Sequence, residues 1–404
     1  MSIGRACIFL ALLPLCGACS RGGMESVADL GTEPAYPDLR SDPGDLSGSD
    51  LSPPDLTPPD PPPGTVLYVI KGGRGKQDGT SPKDAMPTIG MALQKAQLPP
   101  NPAVWVAAGT YSETLSVLPP QTLLGGFDET FRTRDPQRQP TVVQADADNV
   151  LHVDGRLTGV ALVDGLSFIS RRPASTTNQQ AVYVYPGAGR LQLVRCRIDS
   201  SGGYSNYCIR ADGGNVLADG NVCNASGGTI ANYLFYGYGT FLNNVAFASD
   251  GVTSTSGSVL VNNTLRCSGY DCLRFVYGGG TIANNILIGT SRTVAINASS
   301  TADVARIENN VLFGFGSLYF GKTAGEVKSL STLNSAAALG VAAAGGNVIV
   351  DPALDTELVP TANTPASVLA GGLDASSALY GGVRSDRDNH PRALPYSIGA
   401  YQRP

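Results

Sequence analysis

Short apolar segments rich in β-branched residues recur along residues 142–350, and glycine or asparagine interrupts each of them. Segments such as 182–184, 259–261 and 294–296 show no sustained helical spacing, so the pattern predicts short β-strands. Strands are also predicted at 66–70 and 104–106. Apolar positions over 88–97 have helical spacing and follow Pro87, which predicts one helix near the start of the folded part.

An asparagine pair followed by apolar residues returns through the second half of the chain. Its equivalent points, including degenerate copies, are Gly165, Cys196, Gly220, Asn244, Asn263, Asn285 and Asn310. The steps between them are 31, 24, 24, 19, 22 and 25 residues, a period typical of stacked repeats that cannot bury a core singly. A β-sandwich would not require asparagine at a constant offset. In stacked β-coils, one asparagine of each pair would occupy the bent corner and hydrogen-bond the adjacent coils.

The first 19 residues have the pattern of a signal peptide, with Arg5, an apolar run over 8–15 and small residues before Cys19. The run is too short to span a bilayer. Residues 15–19 resemble a bacterial lipobox, which implies lipidation of Cys19 and a membrane anchor. Cys16 stands where that motif usually has leucine, so cleavage without a lipid remains an alternative. Ser20 resembles the signal for export to the outer membrane or cell surface.

Residues 20–64 form an acidic, proline-rich segment with nine carboxylates and two arginines. Like-charge repulsion, fixed proline φ angles and few apolar residues predict a disordered tether. Removing Arg5 and this segment of charge −7 from the total of −5 leaves residues 65–404 at +1. This balance argues against nucleic acid as a partner.

The start of the folded part carries a series of short motifs: Tyr68-Val69, Asp78-Gly79-Thr80, Pro87-Thr88-Ile89, Ala92-Leu93, Val104-Trp105-Val106 and Gly109-Thr110-Tyr111-Ser112-Glu113. This series resembles the opening of secreted right-handed parallel β-helix proteins of the pectin-lyase-like superfamily. Residues 386–392 and 397–402 resemble the closing segment of bacterial surface β-helix proteins called choice-of-anchor Q. There, Asn389, Ser397 and Gln402 replace the usual Gly, Asp and Glu.

The resemblance implies an all-β fold, a right-handed parallel β-helix solenoid, over residues 65–404. Residues 65–141 would hold an N-terminal capping helix and the first coils, 142–350 the remaining coils, and 351–404 a C-terminal cap on the last coil. We expect a monomer.

Five cysteines follow the signal peptide, and an exported protein can oxidise them. Cys267 and Cys272 flank a short turn and are predicted to form a disulfide. Cys208 could pair with Cys196 or Cys223, leaving one thiol over. The cysteines lack the CxxC spacing and nearby histidines of a metal site, so no metal is expected.

Motifs of pectin-lyase-like enzymes are mostly missing from the sequence. It lacks the Asn-Thr-Asp and Gly-His-Gly elements of polygalacturonases and the Arg-Xaa-Pro-Xaa-Xaa-Arg of pectate lyases. Residues 109–113 resemble the Gly-Xaa-Tyr-Xaa-Glu of pectin methylesterases, whose other elements are absent. We expect no cofactor, and Ca²⁺ only if the protein is a lyase.

Aromatic and charged residues cluster on the strands before the asparagine turns. Because strand side chains alternate between faces, about half of them should point outward. Stacking would bring together Tyr185, Arg210, Tyr236, Arg274 and Tyr277. We assign Tyr185, Tyr236 and Tyr277 as candidate ligand-binding residues, and the pairs Asp271 with Arg274 and Asp212 with Arg210 as candidate acid/base groups.

Three functions fit this sequence. The first is a non-enzymatic surface module that binds a polysaccharide or a surface protein. The second is a lyase or hydrolase acting on an acidic polysaccharide. The third is a structural spacer in the envelope. An enzyme should show clustered outward acidic and basic groups with shifted pKa values, whereas a binding module needs only aromatic residues.

Overall fold

The computed structural model describes residues 65–154, 159–171, 177–187, 189–228, 231–254, 257–276, 279–298 and 304–402. The predicted signal peptide with Cys19, the tether and the candidate Tyr277 lie outside the described residues. Strands greatly outnumber helices in the described part, as the hydrophobic pattern predicts. No helix there is both long and apolar enough to cross a membrane.

The strands form three parallel ladders, which we number 1 to 3. Ladder 1 consists of Leu115–Val117, Asn149–Val153, Gln179–Val184, Asp250–Ser254, Asp271–Phe275, Val294–Ala298 and Ser317–Gly321. Ladder 2 consists of Val66–Val69, Ala103–Ala107, Thr122–Phe127, Val160–Asp164, Arg190–Val194, Val259–Val261, Thr281–Ala283, Arg306–Glu308 and Ala343–Gly345. Ladder 3 consists of Gly109–Ser112, Thr141–Ala145, Leu166–Arg171, Arg197–Ser201, Val222–Ser226, Val245–Ala248, Thr264–Cys267, Ile286–Ile288 and Val311–Phe313.

Two long strands, Ser205–Asp219 and Ala231–Leu242, run through ladder 1 and continue into ladder 2, with a shift of register between Arg210 and Asn215. One antiparallel strand, Gly325–Val327, pairs with the end of ladder 1. From residue 179 onward the chain visits ladders 1, 2 and 3 in that order and then repeats. This order of parallel pairing is compatible with a β-helix.

The helical elements are few and short: the α-helices Ile89–Lys95, Leu330–Leu333, Ala336–Leu339 and Ala366–Leu369, and the 3₁₀ turns Pro82–Asp84 and Ala378–Tyr380. The helix Ile89–Lys95 buries Ile89 and Leu93 in the main core. Its first two N–H groups, at Ile89 and Gly90, each donate to the Glu113 carboxylate at 2.9 Å. That carboxylate compensates the positive end of the helix, which gives Glu113 of the Gly-Xaa-Tyr-Xaa-Glu segment a structural role.

The core is built from side chains that face the space between the ladders. In ladder 3, consecutive strands align one buried residue each: Tyr111, Val143, Phe168, Ile198, Cys223, Ala246, Leu265, Leu287 and Leu312. Burying a large apolar side chain stabilises the folded state by about 1.5–3 kcal/mol. The repeated alignment therefore fixes the register, because a one-residue slip would expose the whole column.

The asparagine pairs divide two tasks between their members. The first asparagine takes the left-handed conformation, with φ of +53° to +57°, at Asn243, Asn262, Asn284 and Asn309. The second hydrogen-bonds along the stack: the N–H and Nδ2 of Asn244 donate to Asn263 Oδ1, and those of Asn263 donate to Asn285 Oδ1. The ladder of second asparagines comprises Asn221, Asn244, Asn263, Asn285, Asn310 and Asn347.

The sequence analysis placed Gly220 in this ladder, whereas in the structure the ladder residue is its neighbour Asn221. Gly220 has φ +66° and corresponds to the first residue of a pair, whereas Asn221 makes the ladder hydrogen bonds. Arg195 at φ +50° holds the same place before Cys196. Glycine and asparagine both tolerate this conformation, so composition alone did not separate the two positions.

Two disulfides close local segments of the stack. Cys267 pairs with Cys272, and Cys208 pairs with Cys223 across a separation of 15 residues. The sequence left Cys196 and Cys223 open as partners of Cys208, and in the structure the partner is Cys223. Cys196 is free and fully enclosed, and burial raises the pKa of its thiol to about 12.

Residues 351–402 contact several layers of the stack. The Ala400 N–H donates to Thr264 Oγ1 at 3.0 Å, and the Gly399 N–H donates to the Asn284 carbonyl at 2.7 Å. Arg392 reaches Asn243 Oδ1 at 3.0 Å, while Asn309 Nδ2 donates to the Gly371 carbonyl at 2.8 Å. The predicted role as a cap on the last coil does not account for these lateral contacts.

Candidate functional site

The register of ladder 1 aligns polar and aromatic side chains from different parts of the chain. Tyr183 pairs with Arg210, Arg210 with Tyr236, Tyr236 with Thr253, and Thr253 with Arg274. Each step along this column is one strand spacing, about 4.8 Å. Tyr207 and Tyr233 pair in the same ladder, three positions before Arg210 and Tyr236. We define the tyrosine–arginine surface as Tyr183, Tyr185, Tyr207, Arg210, Asp212, Tyr233 and Tyr236.

Arg210 lies at the centre of this surface. Its Cζ atom is 5.8, 5.5 and 5.7 Å from the ring centroids of Tyr183, Tyr207 and Tyr236. Its guanidinium also donates to both carboxylate oxygens of Asp212, from Nε at 3.0 Å and from Nη2 at 2.9 Å. Cation–π contacts and a bidentate ion pair thus hold the cation in one orientation.

These contacts determine the protonation states of Arg210 and Tyr183. Burial opposes the charged form of Arg210, but the hydrogen bond and charge of Asp212 outweigh it and raise the pKa of the guanidinium. Burial, with the hydrogen bond from the Tyr183 hydroxyl to Asp212 Oδ2 at 2.8 Å, raises the pKa of Tyr183 to about 12. Near neutral pH, Arg210 is therefore cationic and the Tyr183 hydroxyl remains protonated.

The tyrosine rings support one another. Tyr207 and Tyr233 stack with centroids 4.9 Å apart and an angle of 13° between the rings, and Tyr236 meets both edge-on. Tyr183 and Tyr185 form a second edge-on pair at 4.5 Å. None of these five rings belongs to the main core cluster, and Tyr185 is 37 % exposed. They form an aromatic layer outside the main core cluster, and within this layer Tyr207 is buried at 8 % exposure.

A second group of polar residues lies beside Tyr233. Asp250 pairs with Tyr233 in the register and is close to Asp271 in the next strand. Burial, followed by the neighbouring Asp271 charge, raises the pKa of Asp250. Asp271 accepts a hydrogen bond from Asn297 Nδ2 at 3.0 Å. Asp250 is therefore the carboxyl group of this pair whose charged form is disfavoured.

The structure brings together some of the predicted residues and separates others. Tyr185, Tyr236, Arg210 and Asp212 all belong to the tyrosine–arginine surface. Arg274 is exposed two strands beyond Tyr236 in the same column. Arg274 and the candidate Asp271 lie on the same strand, Asp271–Phe275, and the described part of the chain shows no ion pair between them.

Tyr207, Tyr233 and Asp250 were not among the predicted site residues. Tyr207 and Tyr233 follow Asn and precede apolar residues, a context that also suits core positions. Asp250 precedes Gly251, a dipeptide typical of turns. The strand register needed to place these residues is not visible in the sequence. One signal could have indicated Tyr207 and Tyr233: each lies three residues before Arg210 or Tyr236, respectively.

Among the described residues, no group of three or more His, Cys, Asp or Glu side chains is placed to hold a metal ion. His152 lies edge-on to Tyr185 at 6.0 Å, whereas His390 is beside Asp386 in the C-terminal segment. The two histidines therefore lie in different local environments.

Comparison with known proteins found no match to a family model, to a curated protein or to a solved structure. The function is therefore argued from the chemistry of the surface.

Proposed function

We propose that this chain is an exported right-handed parallel β-helix protein that binds an extracellular or envelope polysaccharide on the tyrosine–arginine surface without cleaving it. The parallel order of the three ladders supports the solenoid. The two disulfides are consistent with export. Helix Ile89–Lys95 would cover the first coil, and lipidation of Cys19 with the tether 20–64 would attach the domain to a membrane surface.

One observation carries the binding proposal: five tyrosines surround or adjoin a fixed cation on the outer side of ladder 1. Tyrosine supplies large contact area with only two rotatable angles, so little side-chain entropy is lost on binding. The apolar C–H face of a sugar ring can pack on a tyrosine ring, while hydroxyl groups bond the phenolic oxygens. The contacts around Arg210 pre-organise the surface and lower the cost of association.

The charged pair at the centre favours binding over catalysis. Asp212 already accepts hydrogen bonds from Arg210 and from the Tyr183 hydroxyl. A general base needs a free lone pair directed at the proton that it removes. The Asp212 and Arg210 pair is therefore better suited to orienting a ligand than to proton transfer.

A second candidate function is a polysaccharide lyase or hydrolase with Asp250 and Asp271 as acid and base. The raised pKa of Asp250 beside the Asp271 carboxylate favours it, because such pairs supply both roles in glycosidic cleavage. Asp250 is a new candidate partner of Asp271, and the pair of Asp271 with Arg274 stays a prediction.

The experiment that separates these functions applies the full chain to a polysaccharide array and measures retained protein and released ends together. Retention without reducing or unsaturated ends is expected. Release of new ends would replace the binding proposal with the enzymatic one. Absence of both retained protein and released ends on every polysaccharide would refute both functions and favour a structural spacer or a protein partner.

A further inference from the structure

The side chain of Asn262 differs from those of its counterparts in the other asparagine pairs. Asn243 Nδ2 donates to Asp219 at 2.8 Å, Asn284 exchanges two hydrogen bonds with Leu373, and Asn309 donates to Gly371. Asn262 is 0 % exposed, yet neither its Oδ1 nor its Nδ2 has a hydrogen-bond partner. A buried amide without partners costs free energy, so such a group in a native fold calls for a ligand or water.

Asn262 lines a cavity of about 230 Å³ between the stack and the C-terminal segment. Asn284, Leu373, Asp374, Arg384, Arg392 and Tyr396 also contribute to its wall. The volume is below the roughly 300–1,000 Å³ of sites for drug-sized ligands, but it exceeds what one water molecule fills. The wall combines apolar, amide and phenol groups with two guanidinium groups and one carboxylate, so its formal charge is positive and suits a small polar anion.

The charge of the cavity wall comes from Asp374 and two arginines, of which Arg384 is exposed and Arg392 is partly buried. The Arg392 guanidinium donates to Asn243 Oδ1 and to the carbonyls of Ser385, Ser397 and Gly399, at 3.0, 3.3, 3.2 and 2.7 Å. These bonds use four of its five N–H groups, and all four acceptors are uncharged. Burial lowers the pKa of Arg392 to about 10, although the nearby charges of Asp386 and Asp219 raise it, and the group is cationic near neutral pH.

The geometry points to a binding site for a small hydroxy-carboxylate in this cavity, with the carboxylate beside Arg392 and a hydroxyl bonded to Asn262. The anion would pair with the one N–H group of Arg392 that those four bonds leave over, beside the excess positive charge of the wall. The hydroxyl can both donate to Asn262 Oδ1 and accept from its Nδ2. None of the lining residues belongs to the tyrosine–arginine surface, so this site does not depend on polysaccharide binding.

The test titrates the full chain with lactate, malate and gluconate by calorimetry, and with lactamide as the uncharged counterpart of lactate. At least one acid should bind and should raise the midpoint of thermal unfolding in proportion to its concentration. Lactamide should bind at least about tenfold more weakly than lactate, because it cannot pair with the cation.

Asn262→Gly is the diagnostic variant, because glycine adopts the required φ of +57° and removes only the amide. It should weaken binding of the acid about tenfold, the effect of losing roughly one to two hydrogen bonds. Asn309→Gly is the matched control, since it alters the same type of corner outside the cavity and should leave the affinity unchanged. Arg392→Lys should also weaken binding.

Three results would overturn the assignment: no binding of any of the three acids at about 10 mM, equal binding of lactate and lactamide, or unchanged affinity in folded Asn262→Gly. A crystal structure soaked in the acids that shows water alone against Asn262 would overturn it as well.

Discussion

Replacement of Asn263 by alanine tests whether the asparagine ladder holds the stack together. The Asn263 side chain is 0 % exposed and makes four hydrogen bonds. Its Oδ1 accepts from the N–H and Nδ2 of Asn244, at 3.0 and 2.9 Å. Its Nδ2 donates to the Phe241 carbonyl at 2.9 Å and to Asn285 Oδ1 at 3.0 Å. At about 1 kcal/mol for each bond, Asn263→Ala should lower the free energy of unfolding by about 4 kcal/mol.

The matched control is Asn262→Gly, one residue away and equally buried. Its side chain makes no hydrogen bond, and glycine keeps the left-handed backbone. In the absence of a ligand we expect a change within about 1 kcal/mol, the entropic cost of glycine. Alanine at 263 introduces no such strain, because the positive φ belongs to residue 262.

Urea unfolding followed by the fluorescence of the single tryptophan, Trp105, gives both free energies. Circular dichroism provides a second probe for the two-state condition. Two results would refute the role assigned to the ladder. One is an Asn263→Ala variant within about 1 kcal/mol of the parent chain, and the other is an Asn262→Gly variant equally destabilised.

Three further predictions concern the cysteines and Asp250. The double variant Cys208→Ala/Cys223→Ala should lose about 3 kcal/mol in non-reducing urea unfolding, because the disulfide closes 15 residues; a loss below about 1 kcal/mol would contradict this. Cys196 should resist a thiol reagent in the native chain and react after unfolding, since its buried thiol stays protonated; rapid native labelling, located by peptide mass spectrometry, would show that it is accessible. The raised pKa of Asp250 predicts stability that is present below the unfolded pKa of 3.8 and lost as pH rises through the folded value. Asp250→Asn should therefore stabilise the chain more at pH 7 than at pH 3, and an equal effect at both pH values would contradict the shift.

The repeat pattern of the sequence was sufficient to predict parallel β-structure. Apolar segments alternating with asparagine turns predict strands, and the recurring period predicts stacking. The division of labour within each pair was not visible, because Asn262 and Asn263 have the same composition and differ only in backbone angle. Hydrogen bonds along the stack then depend on which residue faces inward.

The composition of the candidate surface was only partly predictable. Alternation within a strand separates inward from outward positions, and this placed Tyr236 and Arg210 on the outer side. The register between strands also depends on loop lengths and on the shift between Arg210 and Asn215. Asp250 could therefore be placed only from the structure, whereas the three-residue distance of Tyr207 before Arg210 is a signal that the sequence does contain.

The cavity at Asn262 lay beyond sequence reasoning altogether. It forms where the C-terminal segment meets the stack, through contacts such as Arg392 to Asn243, which are 149 residues apart. A local sequence pattern does not predict a contact between residues so far apart. The lateral contacts are also not periodic, so they leave no repeat in the sequence.

The measurement that tests the central claim most directly is the affinity of four chains for the polysaccharide that retains the parent chain. Tyr236→Ala should weaken binding by about 1–2 kcal/mol, roughly 5- to 30-fold, because it removes an aromatic contact and a cation–π partner of Arg210. Tyr236→Phe should retain most of the affinity, and Tyr380→Ala, in the C-terminal segment, should equal the parent. Equal affinities of the parent and Tyr236→Ala would contradict the account, as would an equal loss in Tyr380→Ala.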